Sequence, residues 1–252
     1  MSYDPAASPS CTGTGADVRR TPPEGPLFAL VLRSLLIPLA RVVYRPVIEG
    51  RDNVPRRGPV ILASNHLSFI DSMVIPLVSP RPVAFLAKSE YWTGTGLKGR
   101  ISRAFFTAIN AVPVERGTHR AAQASLDASL AVLNDGMAFG IYPEGKRSLD
   151  GRLYRGRTGV AWLALTSGAP VVPVALEGTE DIQPVGKRMP RIRRVTVRFG
   201  EPLDFNDRRD IRPVGPVRRA VTDEIMDAIA ALSQQERASV YNEGPKDDTE
   251  AA

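Results

Sequence analysis

Short apolar runs alternate with longer amphipathic stretches along most of this chain. Residues 59–63, 83–87, 111–114, 137–142, 171–176 and 195–199 are apolar runs of strand length, and their length and β-branched content predict β-strands. Residues 99–109, 120–134, 158–167 and 216–232 repeat apolar positions at helical spacing. Asp135-Gly136 and Gly168 supply stop signals for the second and third of these helices. Strand and helix in alternation predict an α/β fold, with a mixed, mostly parallel sheet flanked by helices. Sites in such sheets gather in the loops at the carboxyl ends of the strands.

The N-terminal part departs from this pattern. Residues 27–43 (LFALVLRSLLIPLARVV) are the most lipid-like stretch, with Arg33 near the centre and Pro38 as a helix breaker. The stretch falls short of the roughly 20 apolar residues of a spanning helix. Two readings stand side by side. It is a buried core helix, or a small N-terminal helical element lying in a membrane surface with Arg33 and Arg41 directed at headgroups. Residues 1–26, rich in Ser, Gly and Pro, lack the basic start and apolar centre of a signal peptide. Residues 236–252 end in an acidic run. Both ends read as disordered, which leaves 27–45 as the N-terminal element and 46–235 as the folded domain.

Charge adds a partner class. The formal charge is +6 and the pI is near 9.8. The four acids and one lysine of residues 242–252 mask a remainder of +9, since +6 becomes +9 once a net −3 is removed. Nucleic acid, an anionic membrane or a phosphorylated small molecule would each suit such a charge. There is no zinc-finger spacing or aromatic RNA-binding motif, and the chain is only 6% aromatic, so nucleic acid is the least favoured. The single Cys11 excludes an intramolecular disulfide and a cysteine metal site, and suits a cytosolic setting.

Candidate chemistry starts after the first predicted strand, in Ser64-Asn65-His66-Leu67-Ser68-Phe69-Ile70-Asp71. Neutral imidazole accepts a proton near pH 7, and a carboxylate on its other nitrogen fixes the tautomer and stabilises the imidazolium. On an unbroken helix, five residues turn through roughly 140°, which would point His66 and Asp71 apart. They meet only if His66 lies on a loop and Asp71 in the first turn of a following helix. The same residues also fit a capping box, with Ser68 as N-cap and Asp71 at N3, which needs no chemistry.

Three more stretches follow predicted strands. Asn110-Ala111-Val112-Pro113-Val114-Glu115-Arg116 ends in a cation. Tyr142-Pro143-Glu144-Gly145-Lys146-Arg147-Ser148 combines an acid, a flexible glycine, two cations and a hydroxyl. Its Lys146, Arg147 and Ser148 could wrap a phosphate with charge-assisted hydrogen bonds, or form an ordinary polar loop. Val171-Val172-Pro173-Val174-Ala175-Leu176-Glu177-Gly178 reads by itself as a core strand. The basic stretch 187–194 could meet anionic lipid or the phosphates of coenzyme A, or stand as a solvated loop.

In order and spacing, NHLSFID, NAVPVER, YPEGKRS and VVPVALEG resemble the four sequence blocks of the glycerolipid acyltransferase family, best known for its 1-acylglycerol-3-phosphate acyltransferases. The family's H-x4-D motif maps onto His66 and Asp71, its block arginines onto Arg116 and Arg147, its Glu-Gly onto Glu144 and Gly145, and its proline onto Pro173. Asn110 stands where the family usually has glycine, and Lys146 where it usually has threonine.

The resemblance implies acyl transfer from acyl-CoA or acyl carrier protein, as co-substrate, to a lysophospholipid hydroxyl. It requires no further cofactor and no metal. His66 would be the base and Asp71 its orienting carboxylate. Arg116, Lys146, Arg147 and Ser148 would hold the acceptor phosphate, with Glu144 and Gly145 shaping the glycerol site and Pro173 supporting an acyl channel. Glycerol-3-phosphate, another lysophospholipid or a glycolipid are alternative acceptors; a non-catalytic basic lipid- or nucleic-acid-binding protein is the alternative class. The expected setting is the cytoplasmic face of a cell membrane, peripheral or monotopic.

Overall fold

The chain's strands assemble into one sheet in the computed structural model, which describes Ser34 and residues 37–114, 119–184 and 191–243. In chain order they are β1 (Val47–Glu49), β2 (Val60–Ser64), β3 (Val83–Lys88), β4 (Ala111–Val114), β5 (Ala138–Ile141), β6 (Val171–Glu177) and β7 (Thr196–Phe199). Their spatial order is β1-β7-β6-β2-β5-β3-β4. Every neighbouring pair is parallel except β6 and β7. The mixed, mostly parallel sheet is therefore present, with β2 at its centre.

The helices are α1 (Ile37–Tyr44), α2 (Asp71–Val78), α3 (Glu90–Thr93), α4 (Gly96–Ala108), α5 (His119–Asn134), α6 (Gly159–Ser167), α7 (Thr179–Ile182) and α8 (Val214–Ser233). All five residues of β2 are buried because helices cover both faces of the sheet. Side chains alternate along a strand. Val60 and Leu62 therefore enter a core with Val74, Ile75 and Val78 of α2. Ile61 and Ala63 enter the opposite core with Val160 and Leu163 of α6 and Ile225 and Ile229 of α8.

All six predicted strands and all four predicted helices form, with boundaries shifted by at most three residues. The sequence pattern missed β1, α3 and α7, which have three or four residues each, too few to show a period. Pro38 is the second described residue of α1, and residues 27–33, 35 and 36 of the apolar stretch lie outside the described residues. The domain also runs further than residue 235. Leu153 N–H donates to the Glu236 carbonyl, Ala238 N–H to the Leu153 carbonyl and Arg155 N–H to the Val240 carbonyl. These bonds tie residues 236–240 to the domain, against the expected disordered tail. No helix among the described residues is long and apolar enough to cross a membrane.

Candidate active site

Parallel register brings two loops together at the carboxyl end of the sheet. Ala63 of β2 pairs with Ile141 of β5, so His66 and Glu144 each lie three residues beyond a matched pair. The His66 N–H donates to Glu144 Oε1 at 3.1 Å, and the His66 carbonyl accepts from the Ser148 N–H at 2.7 Å. Asn65 anchors the same loop on the other side. Its Oδ1 accepts from the Leu176 N–H at 2.8 Å, and its Nδ2 donates to the Leu176 carbonyl at 2.9 Å. That Nδ2 also donates to Gln235 Oε1 at 2.8 Å. The backbone at His66 is fixed before its side chain makes any contact.

The side chain then meets its carboxylate. His66 Nδ1 lies 2.9 Å from Asp71 Oδ2, with Asp71 fully buried and the His66 side chain 16% exposed. A carboxylate only accepts, so Nδ1 carries the proton and Nε2 holds the lone pair. Asp71 Oδ2 also accepts the N–H groups of Leu67 at 2.7 Å and Ser68 at 2.9 Å. These two bonds turn the loop around the carboxylate and bring residues 66 and 71 together.

The capping box forms only in part. Helix α2 starts at Asp71 with Ile70 at its N-cap, and Asp71 reaches back to the Ser68 N–H as a box residue does. The buried Ser68 hydroxyl makes no return bond, and Asp71 Oδ1 also has no partner.

A stacked ring adds a further constraint. Tyr142 lies flat against His66, with ring centroids 3.8 Å apart and planes 8° apart. Its hydroxyl pairs with Ser72 Oγ at 2.9 Å. Burial, and then the negative charge of Asp71, push the Tyr142 phenol well above its ordinary pKa, so it stays neutral. Behind it stands Phe85, 5.6 Å from the Tyr142 ring. Gly140 makes room for Phe85, since a Cβ at 140 would lie 2.0 Å from that ring. Neither ring was singled out from the sequence; the only signal was an aromatic residue immediately before Pro143-Glu144.

Glu144, expected to shape the glycerol site, faces backbone N–H groups rather than open space. It is fully buried, and its Oε2 accepts the Tyr154 N–H at 2.8 Å while Oε1 holds His66. Burial pushes its carboxyl up to about 7, against the pull of the two N–H bonds. It braces the loop from behind.

The other expected residues are spread out. Arg116 lies outside the described residues, as do 187–190 of the basic stretch. Lys146 Nζ donates to the Glu243 carbonyl at 2.5 Å, and the Arg147 carbonyl accepts from Asn242 Nδ2 at 2.9 Å. Ser148 Oγ donates to Asp150 Oδ1 at 3.1 Å. Lys146 and Ser148 are thus engaged with protein groups, and the expected wrap around a phosphate is not preformed by them. Gly145 adopts a left-handed φ of 78° that places the turn. Asn110 has a φ of 57°, a conformation that asparagine tolerates better than most residues. The asparagine therefore fills a glycine-like backbone position.

Pro173, expected to support an acyl channel, lies on the opposite side of the sheet from the large apolar cavity. It alternates with Val172 and Val174, which belong to the α2-side core, and it packs beside Gly200 and Leu232 on the α8 side. The large apolar cavity, about 570 Å³, lies on the α2 side, with Tyr44, Met73, Leu77, Phe105 and Ile109 among its walls. A smaller space of about 270 Å³ beside Leu67 and Ser148 is bordered by Asp150 and Glu180.

A parallel-rich sheet with an imidazole–carboxylate base beyond its central strand defines an α/β domain equipped for proton transfer. Residues 45–177 match the Acyltransferase family, and the chain belongs to that family. It is 33% identical over 144 residues to a chloroplastic 1-acyl-sn-glycerol-3-phosphate acyltransferase of Brassica napus, covering 57% of this chain and 40% of that relative. It is 29% identical over 185 residues to a 1-acyl-sn-glycerol-3-phosphate acyltransferase of Limnanthes douglasii, covering 73% and 62%. The chain thus spans roughly two fifths to three fifths of the length of these relatives. Its fold is similar to that of the 1-acyl-sn-glycerophosphate acyltransferase PlsC of Thermotoga maritima, with a TM-score of 0.57, 24% identity and coverage of 78% and 76%.

Proposed function

We propose that this protein transfers a fatty acyl group from acyl-CoA or acyl carrier protein to the free hydroxyl of 1-acylglycerol-3-phosphate, giving phosphatidic acid. The observation that carries the reading is the 2.9 Å contact between His66 Nδ1 and the buried Asp71 carboxylate. It leaves Nε2 as a base held by four separate constraints. Relatives named 1-acyl-sn-glycerol-3-phosphate acyltransferases support the acceptor.

In this reading the acceptor O–H loses its proton to His66 Nε2 as the oxygen attacks the thioester carbonyl. Asp71 stabilises the imidazolium. The tetrahedral intermediate collapses, the C–S bond breaks, and His66 returns the proton to the departing thiolate. The acceptor alcohol is itself the nucleophile, so no acyl-enzyme forms. Arg116 and Arg147 serve the acceptor phosphate. The α2-side cavity receives an apolar chain, because Met73 is two residues beyond Asp71 and lines its wall. The protein works as a peripheral enzyme at the cytoplasmic face of an anionic membrane.

A second reading concerns the acceptor. Asp150 and Glu180 border the space next to Leu67 and Ser148, and acids there favour hydroxyls over phosphate. An acceptor with a polyol headgroup fits that space through hydrogen bonds. Thiol release from an acyl-CoA series, with lysophosphatidate, glycerol-3-phosphate and lysophosphatidylglycerol in competition, separates these readings. Lysophosphatidate is the expected preferred acceptor. Preference for lysophosphatidylglycerol would support the second reading, and no turnover with any acceptor would remove both.

A further inference from the structure

Helix α4 carries an apolar stripe that is only half used. At about 100° per residue, Leu97, Ile101, Phe105 and Ala108 fall within roughly 80° of arc on one face. Phe105 and Ala108, at the C-terminal end, line the apolar cavity. Leu97 and Ile101, at the N-terminal end, are 72% and 56% exposed. The opposite face packs against the preceding segment. There Ser102 Oγ donates to the Tyr91 carbonyl, Arg103 Nε to the Trp92 carbonyl, and Phe106 stacks on Tyr91 at 4.2 Å. Leu97 and Ile101 therefore point outward because the other side of the helix is already occupied.

Its flanks have one sign of charge. Lys98 and Arg100 fall on either side of the stripe and are exposed, and α4 contains no acidic residue. Across the cavity, α1 turns Ala40, Arg41 and Tyr44 inward and leaves Leu39, Val42 and Val43 exposed. Two helices that share one apolar cavity thus both present large aliphatic side chains to the outside. Aliphatic residues flanked by long cationic side chains match the interface of an anionic bilayer, where apolar groups enter the acyl boundary and the cations stay with the headgroups.

We infer that the Leu97–Ile101 face of α4 docks on an anionic lipid bilayer and forms a continuous apolar path from the membrane to the cavity. This assigns a surface to the membrane setting proposed above and rests on that setting. The path is short: the same helix face that enters the lipid continues into the cavity wall, so an acyl chain need not cross water.

An environment-sensitive fluorophore on Ile101→Cys, in a Cys11→Ser background of the full chain, reports contact directly. Its emission shifts to the blue on adding phosphatidylglycerol-rich vesicles, and far less with pure phosphatidylcholine. The same probe on Ala131→Cys, on an exposed position of α5, shows no shift. In sedimentation with the same vesicles, Leu97→Ser/Ile101→Ser partitions at least about tenfold more weakly than wild type. Lys98→Gln/Arg100→Gln loses about fivefold per cation on anionic vesicles only. An unshifted probe at 101 overturns the inference, as does wild-type partitioning of the serine variant. A change of oligomeric state in that variant, without a change in vesicle binding, also overturns it and assigns the face to a second copy of the chain. Thiol release with a water-soluble short-chain acceptor is measured in parallel and stays at the wild-type rate in the serine variant. Loss of turnover with docking intact would count against acyl transfer and leave the docking surface standing.

Discussion

The two ends of helix α2 do opposite things. Its first turn holds Asp71, whose Oδ2 takes three hydrogen bonds in a fully buried corner. Its last turn, with Pro76 and Leu77, borders an apolar cavity of about 570 Å³. At the first end, the His66 backbone N–H, carbonyl, ring nitrogen and ring face are each engaged. At the other, apolar walls stand apart. A proton-transfer group has to be held to a fraction of an ångström, whereas an apolar chain needs room and accepts many positions. One rigid helix keeps the fixed corner and the open space in constant relation.

The sharpest way to break the contrast is Asp71→Asn. The amide oxygen can occupy the Oδ2 position and keep its three donors, while the NH2 takes the unpartnered Oδ1 position. The fold is retained and the charge is lost. Thiol release should fall by about a thousandfold or more with a nearly unchanged melting temperature. A variant that kept most of its rate would show that Asp71 only builds the loop.

Two substitutions two residues apart on α2, on nearly opposite faces of the helix, compare packing with open space. Ile75→Ala removes a fully buried side chain from the core and should cost roughly 2–5 kcal/mol in denaturant unfolding. Leu77→Ala removes a cavity-wall side chain that is only half-buried and should cost less than about 2 kcal/mol. It should instead shift donor preference towards longer acyl chains. Equal stability losses would mean that the cavity wall is packed like the core.

Glu144 tests how firmly the fixed corner is braced. A glutamine can satisfy only one of the two N–H donors from His66 and Tyr154, so Glu144→Gln should lose roughly 1–3 kcal/mol. The pH dependence has a definite sign. The carboxyl is raised from an ordinary 4.5 to about 7, so the folded protein binds this proton more tightly than the unfolded chain. Its stabilising contribution is complete below 4.5 and is lost as pH rises to about 7. The difference in unfolding free energy between wild type and Glu144→Gln should therefore shrink between pH 5 and 8. A constant difference would mean that Glu144 is already ionised at pH 5.

The smallest expected effect belongs to Tyr142→Phe, which keeps the stack on His66 and removes the bond to Ser72 Oγ. A loss of about 0.5–1.5 kcal/mol in stability and little loss of rate should follow.

Much of this was legible in the sequence because the signals were periodic or local. The apolar runs placed β2, β5 and β6, and the spacing of His66 and Asp71 implied a loop followed by a helix. What escaped had no local signal. Glu144 looked like a ligand-facing acid, because only the parallel register of β2 and β5 shows that it meets the His66 backbone. Pro173 looked like a channel residue, because its face is set by alternation within β6 and by which helices cover each side of the sheet. Lys146 looked like a phosphate ligand, but Glu243 is nearly a hundred residues away in the chain.

Thioester turnover by His66→Ala decides whether His66 is the base. With palmitoyl-CoA and lysophosphatidate, the wild type should release thiol and form phosphatidic acid in equal amounts. The variant should remain folded, with a melting temperature within a few degrees of wild type, and release thiol at no more than about a thousandth of that rate. A folded His66→Ala protein that still formed phosphatidic acid at a comparable rate would mean that another group takes the acceptor's proton.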